Sequence, residues 1–345
     1  MASTQDVTIL GAGIIGLSIA WACRARDATV TVIEPCGPGA GASGGLVGAL
    51  APHVPEAWNE KKAFQLDSLL AARGFWADVA EATPCDPGYT ATGRLQPLAE
   101  DAAVRLAHAR SVTARDLWQG RAEWIVTDAP GPFAPRAPTG LYVRDTLSAH
   151  LHPRRAVTAL ADALRRRGAA IEAEGQPRGP VIHATGAAGL DLLSESFGRP
   201  VGQGIKGQAA LLGHDARGAA QVFVDGLHIV PHADGTTAIG STTERAFDAP
   251  TTTDAQLDEV IARARAALPA LADAPVLERW AGLRPRARSR APILGAWPGR
   301  EGHFIANGGF KIGFGMAPGI ADVMADLVLE GRDRIPAPFR FDPGG

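Results

Sequence analysis

The chain has 345 residues, which is long enough for one large two-lobed unit or for two domains. Hydrophobic residues make up 46% of it and charged residues 20%, so there is ample apolar material for a core. The net charge of −2 argues against a nucleic-acid or membrane-surface partner, and no apolar run is long enough to span a membrane. The three cysteines fit no zinc or CxxC spacing, so we expect reduced thiols, no metal site and a cytoplasmic location.

The segment from Val7 to Glu34 is the most informative part of the sequence. It predicts a strand, a glycine turn, a helix and a second strand that ends on an acid, which is the context in which a GxGxxG fingerprint binds a dinucleotide. Gly11 makes the tight turn out of the strand, and Gly13 lets a pyrophosphate approach the helix N-terminus. Gly16 lets the helix pack closely on the strand, and Glu34 is placed to accept hydrogen bonds from ribose hydroxyls.

A stretch of small residues, PCGPGAGASGGLVGALAPH, follows at 35–53. It is too apolar for a flexible linker, and its small side chains indicate a backbone that passes close to something large and flat. Apolar residues at helical spacing then predict a helix over 60–82.

The remaining chain alternates between helical and extended patterns. Helices are predicted near 101–108, over 154–167 and over 254–268, and a buried strand over 181–184 leads directly into Thr185 and Gly186. Residues 206–245 alternate like an antiparallel meander with an Asp–Gly hairpin. The C-terminal part predicts a strand, a glycine-rich turn and a helix. These patterns predict an α/β fold with a more antiparallel middle.

Several motifs together resemble one family, the flavin-dependent amine and amino-acid oxidases of the D-amino-acid oxidase type, which includes glycine oxidase and sarcosine oxidase. The segments that carry the resemblance are GAGIIG at 11–16 with Glu34, GASGGLVGALAPH at 41–53, HATGA at 183–187, HIVPHADGTTAIGSTTE at 228–244, WAGLRPRARSRAPILG at 280–295 and NGGFKIGFGMAPG at 307–319. The GLRP segment followed by the last glycine turn is the most specific of them.

The resemblance implies an α/β fold, with a Rossmann-like FAD-binding domain and a substrate domain built from a second, mainly antiparallel β-sheet plus helices. It assigns 1–85, 145–205 and 280–345 to a discontinuous FAD-binding domain, and 86–144 and 206–279 to the substrate domain. Non-covalent FAD is the implied cofactor. The residues expected to contact it are Gly11, Gly13, Ile14, Ile15, Gly16, Glu34, Ala42, Ser43, Gly44, Gly186, Gly309 and Gly313.

Three further residues take catalytic positions by the same resemblance. The arginine of GLRP, here Arg284, pairs in the family with the substrate carboxylate, a task that suits a planar guanidinium. His228 stands where glycine-oxidase-like members carry a tyrosine that touches substrate, and Lys311 stands where an arginine or another polar group lies over the flavin. The implied reaction is hydride transfer from a small amine or amino acid that carries a carboxylate to flavin N5, and water then hydrolyses the resulting imine.

The sequence leaves several alternatives open. The electron acceptor is either O₂ or a quinone, so an FAD-dependent dehydrogenase is an alternative to an oxidase. The glycine fingerprint alone also permits an NAD-dependent dehydrogenase or a non-catalytic flavin-fold binding module. The low net charge argues against a tRNA-modifying relative. A homo-oligomer is compatible with the sequence.

Overall fold

The computed structural model describes residues 5–343. Seven α-helices lie in this range: α1 (Ile14–Arg24), α2 (Glu60–Glu81), α3 (Asp101–Trp118), α4 (Pro153–Arg166), α5 (Gly186–Ser196), α6 (Ala255–Ala267) and α7 (Gly313–Glu330). Three short 3₁₀ turns cover Ala42–Gly44, Pro269–Leu271 and Ala337–Phe339. All three cysteines are free, as the sequence predicts.

Sixteen β-strands complete the described part of the chain: β1 (Asp6–Leu10), β2 (Thr29–Ile33), β3 (Gly48–Leu50), β4 (Arg94–Pro97), β5 (Trp124–Thr127), β6 (Tyr142–Asp145), β7 (Ala149–Leu151), β8 (Ala170–Glu172), β9 (Val181–His183), β10 (Gly202–Leu212), β11 (Gln221–Val224), β12 (Leu227–Pro231), β13 (Thr237–Gly240), β14 (Val276–Ala287), β15 (Ile293–Ala296) and β16 (His303–Asn307).

The first sheet has six strands in the order β15-β16-β9-β1-β2-β8. All its pairs are parallel except β15 with β16. Leu10 pairs with Ile33 on one side and with His183 on the other, so the carboxyl ends of β1, β2 and β9 meet at one edge. Nucleotide sites of doubly wound folds form at such an edge. The expected Rossmann-like part of an α/β fold is therefore confirmed.

The second sheet has eight strands in the order β14-β10-β13-β12-β11-β4-β6-β5. Its pairs are antiparallel except β11 with β4. Helix α6 packs on β10, β12 and β13, and α5 contacts strands of both large sheets. The sequence prediction of a second, mainly antiparallel sheet with helices is confirmed.

Two details differ from the sequence-based expectation. Helix α3 extends to Trp118 because Ala107, Ala114 and Trp118 continue a buried stripe and no proline interrupts it. The expected domain boundaries at 205/206 and 279/280 fall inside β10 and β14, which pair with each other along most of their length. The division of the chain into domains stays a prediction.

Helix α1 is held between α4 and α7. At the far end of α7, Asp326 is fully buried and accepts hydrogen bonds from Arg26 (2.9 Å) and Arg334, with Arg332 also within 3.0 Å. Burial alone would raise the pKa of the Asp326 carboxyl, but these three arginines hold it below its usual range. The cluster ties the chain after α1 to the end of α7.

Asp326→Asn should destabilise the protein. Removing one partner of a fully buried ion pair costs about 3–5 kcal/mol, and we expect about 2 kcal/mol here because the arginines are partly exposed. The measurement is urea unfolding at neutral pH. Because the pKa of the Asp326 carboxyl is lowered, its stabilisation is complete above the ordinary carboxyl pKa and is lost as pH falls through the lowered pKa. The unfolding free energies of variant and wild type should therefore converge in acid.

Asp322→Asn is the matched control, because this carboxylate contacts Arg26 and Arg334 from a half-exposed position. We expect it to cost less than about 1 kcal/mol. Equal losses in the two variants would contradict the assigned role of Asp326.

Candidate active site

The turn between β1 and α1 is built on two glycines whose side-chain positions are filled by the backbone. Gly11 has a φ of +105°, and a Cβ on it would lie 2.5 Å from the carbonyl oxygen of Ala184 at the end of β9. A Cβ on Gly16 would overlap the carbonyl oxygen of Gly11. Both glycines are therefore required for close packing of helix and strands, whatever ligand binds there.

The N-terminus of α1 is open where its backbone N–H groups emerge. Its N-cap is Gly13, which has no side chain to cap the helix, and the first turn contains no acid. The Ile14 N–H donates to Ser43 Oγ at 2.9 Å. A Cβ on Gly13 would meet only that oxygen within 4 Å in the described part of the chain. The remaining N–H groups of the turn, including that of Ile15, suit an anion.

Glu34 lies at the end of β2 beside this turn. Its Oε2 accepts a hydrogen bond from the Ala12 N–H at 3.2 Å, and its Oε1 accepts one from the Cys36 N–H at 3.3 Å. A carboxylate has about four acceptor sites, so capacity remains for the two hydroxyls of a ribose.

The 3₁₀ turn Ala42–Gly44 carries Ser43 to the start of α1. A Cβ on Gly44 would overlap the carbonyl oxygen of Gly39, and one on Gly48 would overlap that of Leu151. Part of the small-residue stretch is therefore explained by contacts within the protein.

The C-terminal glycine turn returns to the same place. A Cβ on Gly309 would lie 3.0 Å from Ile15 Cδ1, and one on Gly313, the first residue of α7, would lie 3.6 Å from Ile14 Cγ2. The N-termini of α1 and α7 therefore lie side by side. Gly186 begins α5 with a φ of +60° and no described atom near its Cβ position.

Asn307 was not foreseen from the sequence. Its Nδ2 donates to the Gly186 carbonyl at 2.8 Å, and its Oδ1 accepts from the Gly308 N–H at 2.7 Å. It fixes the end of β16 to the start of α5. A lone asparagine in a glycine-rich turn gives no sequence pattern that indicates this contact.

Arg284 projects from β14 beside the strand end of β13. Its Nη1 donates to Ser241 Oγ and its Nη2 to the Thr242 carbonyl, both at 2.6 Å, while its buried Nε has no partner. A Cβ on Gly207 of the paired strand would overlap the guanidinium, so this glycine provides the space for it. Burial lowers the pKa of Arg284 to about 10, an effect that Glu244 opposes.

A cavity of about 170 Å³ has Lys311, but not Arg284, in its wall. Its wall includes His53, Gln65, Arg94, Phe223, His228 and Lys311. The structure thus brings His228 and Lys311 together. Arg284 lies close to Lys311, because both side chains are near Phe310. The centroid of the Phe310 ring is 5.5 Å from Arg284 Cζ and 5.8 Å from Lys311 Nζ.

The cavity wall carries excess positive charge. Burial lowers the pKa of Lys311, and the nearby Arg284 and Arg286 lower it further. Burial, with Arg94 and Lys311, lowers the pKa of His228 to about 3, so its imidazole is neutral at ordinary pH. The Nδ1 atom of His228 is buried and has no hydrogen-bond partner.

Two cavity residues were missed by sequence reasoning. Arg94 on β4 is 6% exposed, and its Nε donates to the fully buried Asp145 at 2.9 Å. Gln65 on α2 accepts from the His53 N–H at 2.8 Å and lies 2.5 Å from His53 Nδ1. Neither residue belongs to a recognisable motif, because each partner comes from another element.

Comparisons with known proteins identify the family to which the chain is similar. The sequence model of the family described as FAD dependent oxidoreductase (DAO) matches residues 6–327. A glycine oxidase of Pseudomonas aeruginosa is 29% identical over 99% of both chains. A bifunctional protein ThiO/ThiG of Synechocystis is 28% identical over 96% of this chain and 52% of that protein.

Solved structures have the same fold. Glycine oxidase from Geobacillus kaustophilus superposes with a TM-score of 0.82 at 22% identity, covering 98% of this chain and 99% of the other. Iminodiacetate oxidase from Chelativorans sp. BNC1 gives a TM-score of 0.84 at 22% identity, covering 97% and 98%. None of the helices in residues 5–343 is long and apolar enough to cross a membrane.

The residues present fit FAD. The Cβ position of Gly186 is open, and those of Gly13 and Gly313 each have a single described side-chain atom within 4 Å, so little covers the backbone around the edge where β1, β2 and β9 end. Two helix N-termini offer N–H groups for a pyrophosphate, and Glu34 offers acceptors for a ribose. The cavity with His228 and Lys311 lies beside α7, whose residue Gly315 forms part of its wall.

Gly13→Ala should weaken FAD binding without unfolding the protein. The added methyl group would enter the space over the α1 N-terminus, where only Ser43 Oγ is near. We expect the FAD dissociation constant to rise at least about tenfold, which corresponds to about 1.4 kcal/mol. Flavin absorbance after dialysis and titration of the apoprotein with FAD measure it.

Gly74→Ala in α2 is the control, because nothing described lies within 4 Å of its Cβ position. It should keep wild-type FAD affinity. An unchanged affinity in Gly13→Ala would contradict the pyrophosphate position.

Proposed function

Because this chain belongs to the family of FAD-dependent oxidoreductases, we propose that it oxidises a small amine or amino acid that carries a carboxylate, in the class of glycine, sarcosine and D-amino acids. The observation that carries the proposal is the positive wall of the cavity. Lys311 in the wall and Arg284 close to it have no paired carboxylate among the described residues, whereas Arg94, also in the wall, is paired with Asp145.

Arg284 holds the substrate carboxylate in this proposal. Its guanidinium uses one proton on each Nη for Ser241 and Thr242, and its Nε has no partner. A carboxylate would satisfy donors that are otherwise unpaired. A lysine at this position would present a point charge without the planar fork.

His228 and Lys311 line the rest of the substrate site. Neutral His228 neither repels an ammonium nor competes for the carboxylate, and its free ring nitrogen can hydrogen-bond the amino group. Lys311 adds a second cation, and its Nζ lies 5.8 Å from the centroid of Phe310, close to which Arg284 Cζ also lies at 5.5 Å. Bound FAD supplies the two-electron oxidation, because flavin N5 accepts a hydride from the substrate carbon. Orientation by these side chains lowers the barrier.

The names of the relatives support this substrate class. Glycine oxidase and iminodiacetate oxidase both act on small amino acids with a carboxylate, and they match nearly all of the chain. An NAD-dependent dehydrogenase and a non-catalytic binding module are not favoured. The electron acceptor, O₂ or a quinone, the oligomeric state and the cytoplasmic location stay predictions.

An anaerobic absorption titration tests the proposal. The purified FAD protein is mixed with glycine, sarcosine, iminodiacetate and a panel of D-amino acids. Loss of the flavin absorbance with one of them identifies the substrate class, and readmitted air or an added quinone then identifies the acceptor. A flavin protein that none of these compounds reduces would contradict the proposed class.

Arg284→Lys should raise KM for a carboxylate substrate far more than it lowers the flavin content. Losing a bidentate, charge-assisted pair costs about 1.5–3 kcal/mol, or about 10–150-fold in kcat/KM. Arg288→Lys, on the exposed end of the same arginine-rich run, is the matched control and should behave like wild type. Equal kinetics for both variants would remove Arg284 from the substrate site.

His228→Asn tests whether this residue titrates. Since its pKa is lowered to about 3, the imidazole stays neutral from about pH 5.5 to 7.5, whereas an exposed histidine would lose its proton near pH 6.5. We expect kcat/KM of the variant to fall while the shape of the pH profile stays that of wild type. A change in wild-type kcat/KM near pH 6.5 that disappears in the variant would contradict the assignment of His228 as a neutral imidazole.

A further inference from the structure

Two histidines that do not line the cavity described above meet at the ends of β7 and β12. His152 directly follows β7 and precedes α4, and His232 directly follows β12. Because β7 and β12 contact each other, both strands deliver a histidine to the same place. Their ring centroids are 4.4 Å apart. Asp234, in the hairpin between β12 and β13, completes a group in which one ligand atom of each residue lies within 4.8 Å of the others.

Both rings are buried and incompletely paired. His232 is 1% exposed and His152 is 9% exposed. The Nε2 atom of His232 and the Nδ1 atom of His152 have no hydrogen-bond partner in the described structure. Buried polar nitrogens normally have a partner, so these two indicate one that a protein group does not supply.

A hydroxyl next to His232 determines which of its ring nitrogens keeps a lone pair. Thr236 Oγ1 donates its single proton to Asp234 Oδ1 at 2.7 Å, and it lies 3.0 Å from His232 Nδ1. A proton on His232 Nδ1, shared with Thr236, leaves the lone pair on Nε2, although the Leu46 carbonyl also lies within hydrogen-bonding reach of this ring. Metal-binding histidines are commonly oriented in this way, by a hydrogen bond from the other ring nitrogen.

The Asp234 carboxylate is available to bind a cation beside the two histidines. Its nearest cation, Arg155, is 3.9 Å away and makes a closer pair with Asp86 at 2.7 Å. The Asp234 side chain is 32% exposed, which gives a cation a route from solvent. The site thus has two buried imidazoles and one accessible carboxylate.

We propose that His152, His232 and Asp234 bind a divalent transition metal of the zinc class, with one coordination position open to solvent. Two imidazoles and a carboxylate suit Zn²⁺ and its neighbours, whereas Mg²⁺ and Ca²⁺ prefer oxygen ligands alone. The metal would join the start of α4 to the β12–β13 hairpin of the eight-stranded sheet. None of the three residues lines the cavity, so the site stabilises the fold and does not depend on the proposed reaction.

Cysteine spacing predicted no metal site, and the sequence offers no local pattern for this one. The two histidines are far apart in the chain, and only the contact of β7 with β12 brings them together.

Zinc titration of the chelator-treated, dialysed FAD protein tests the proposal, with a chromogenic chelator as competitor. We expect one Zn²⁺ per chain and a rise in the thermal unfolding temperature. His232→Asn and His152→Asn should weaken binding at least about 100-fold, because loss even of an outer-shell partner costs about 10–100-fold. Thr236→Val should weaken it about tenfold.

His303→Asn is the matched control, since His303 forms another close histidine pair, with Nδ1 2.9 Å from His183 Nε2. It should keep full zinc affinity. Flavin absorbance and circular dichroism verify the fold of each variant. If a histidine variant does not fold, Asp234→Asn, which changes the solvent-accessible ligand, tests zinc binding in its place. Zinc binding that is equal in wild type and in the His152→Asn/His232→Asn double variant, or that is lost only in His303→Asn, would overturn the proposal.

Discussion

The structure depends on the close approach of α1 to the edge where β1 and β9 end. Gly16 sits against the Gly11 carbonyl, and Gly11 sits against Ala184, so no side chain fits at either position. This approach fixes the α1 N-terminus, and α7 packs on α1 with its own N-terminus alongside. Two helix ends then point to one edge of a parallel sheet. The anion site follows from this packing before any ligand is considered.

The sequence could predict this part because its causes are local. A strand, a glycine turn, a helix and an acid occur within Val7 to Glu34, and each step restricts the next. The antiparallel sheet was predictable in kind, since residues 206–245 alternate and contain an Asp–Gly turn. The predicted length of α3 was wrong only at the C-terminal end of the helix, where the sequence pattern determines a boundary least.

The missed residues have a common physical cause. Arg94 is held by a hydrogen bond to Asp145, and Asn307 by one to Gly186, while Gly207 provides the space for Arg284. In each case the partner lies on a different element. Such pairs become neighbours only through strand order and register, which a single sequence does not specify. Small residues also have causes that the sequence does not show: a Cβ on Gly44 would overlap the Gly39 carbonyl, and the contact of Gly44 with FAD stays a prediction.

The charges around the cavity limit what can enter it. Arg94 is neutralised by Asp145, but Arg284 and Lys311 lie around Phe310 with no carboxylate paired to either among the described residues. Burial lowers the pKa of both groups, and repulsion from Arg284 and Arg286 lowers that of Lys311 further. An anion that enters relieves both effects at once, whereas a simple amine without a carboxylate would add a third positive charge. In the proposed function, the free energy of binding therefore favours an amino acid over an amine without a carboxylate, because the charges of Arg284 and Lys311 select for an anion.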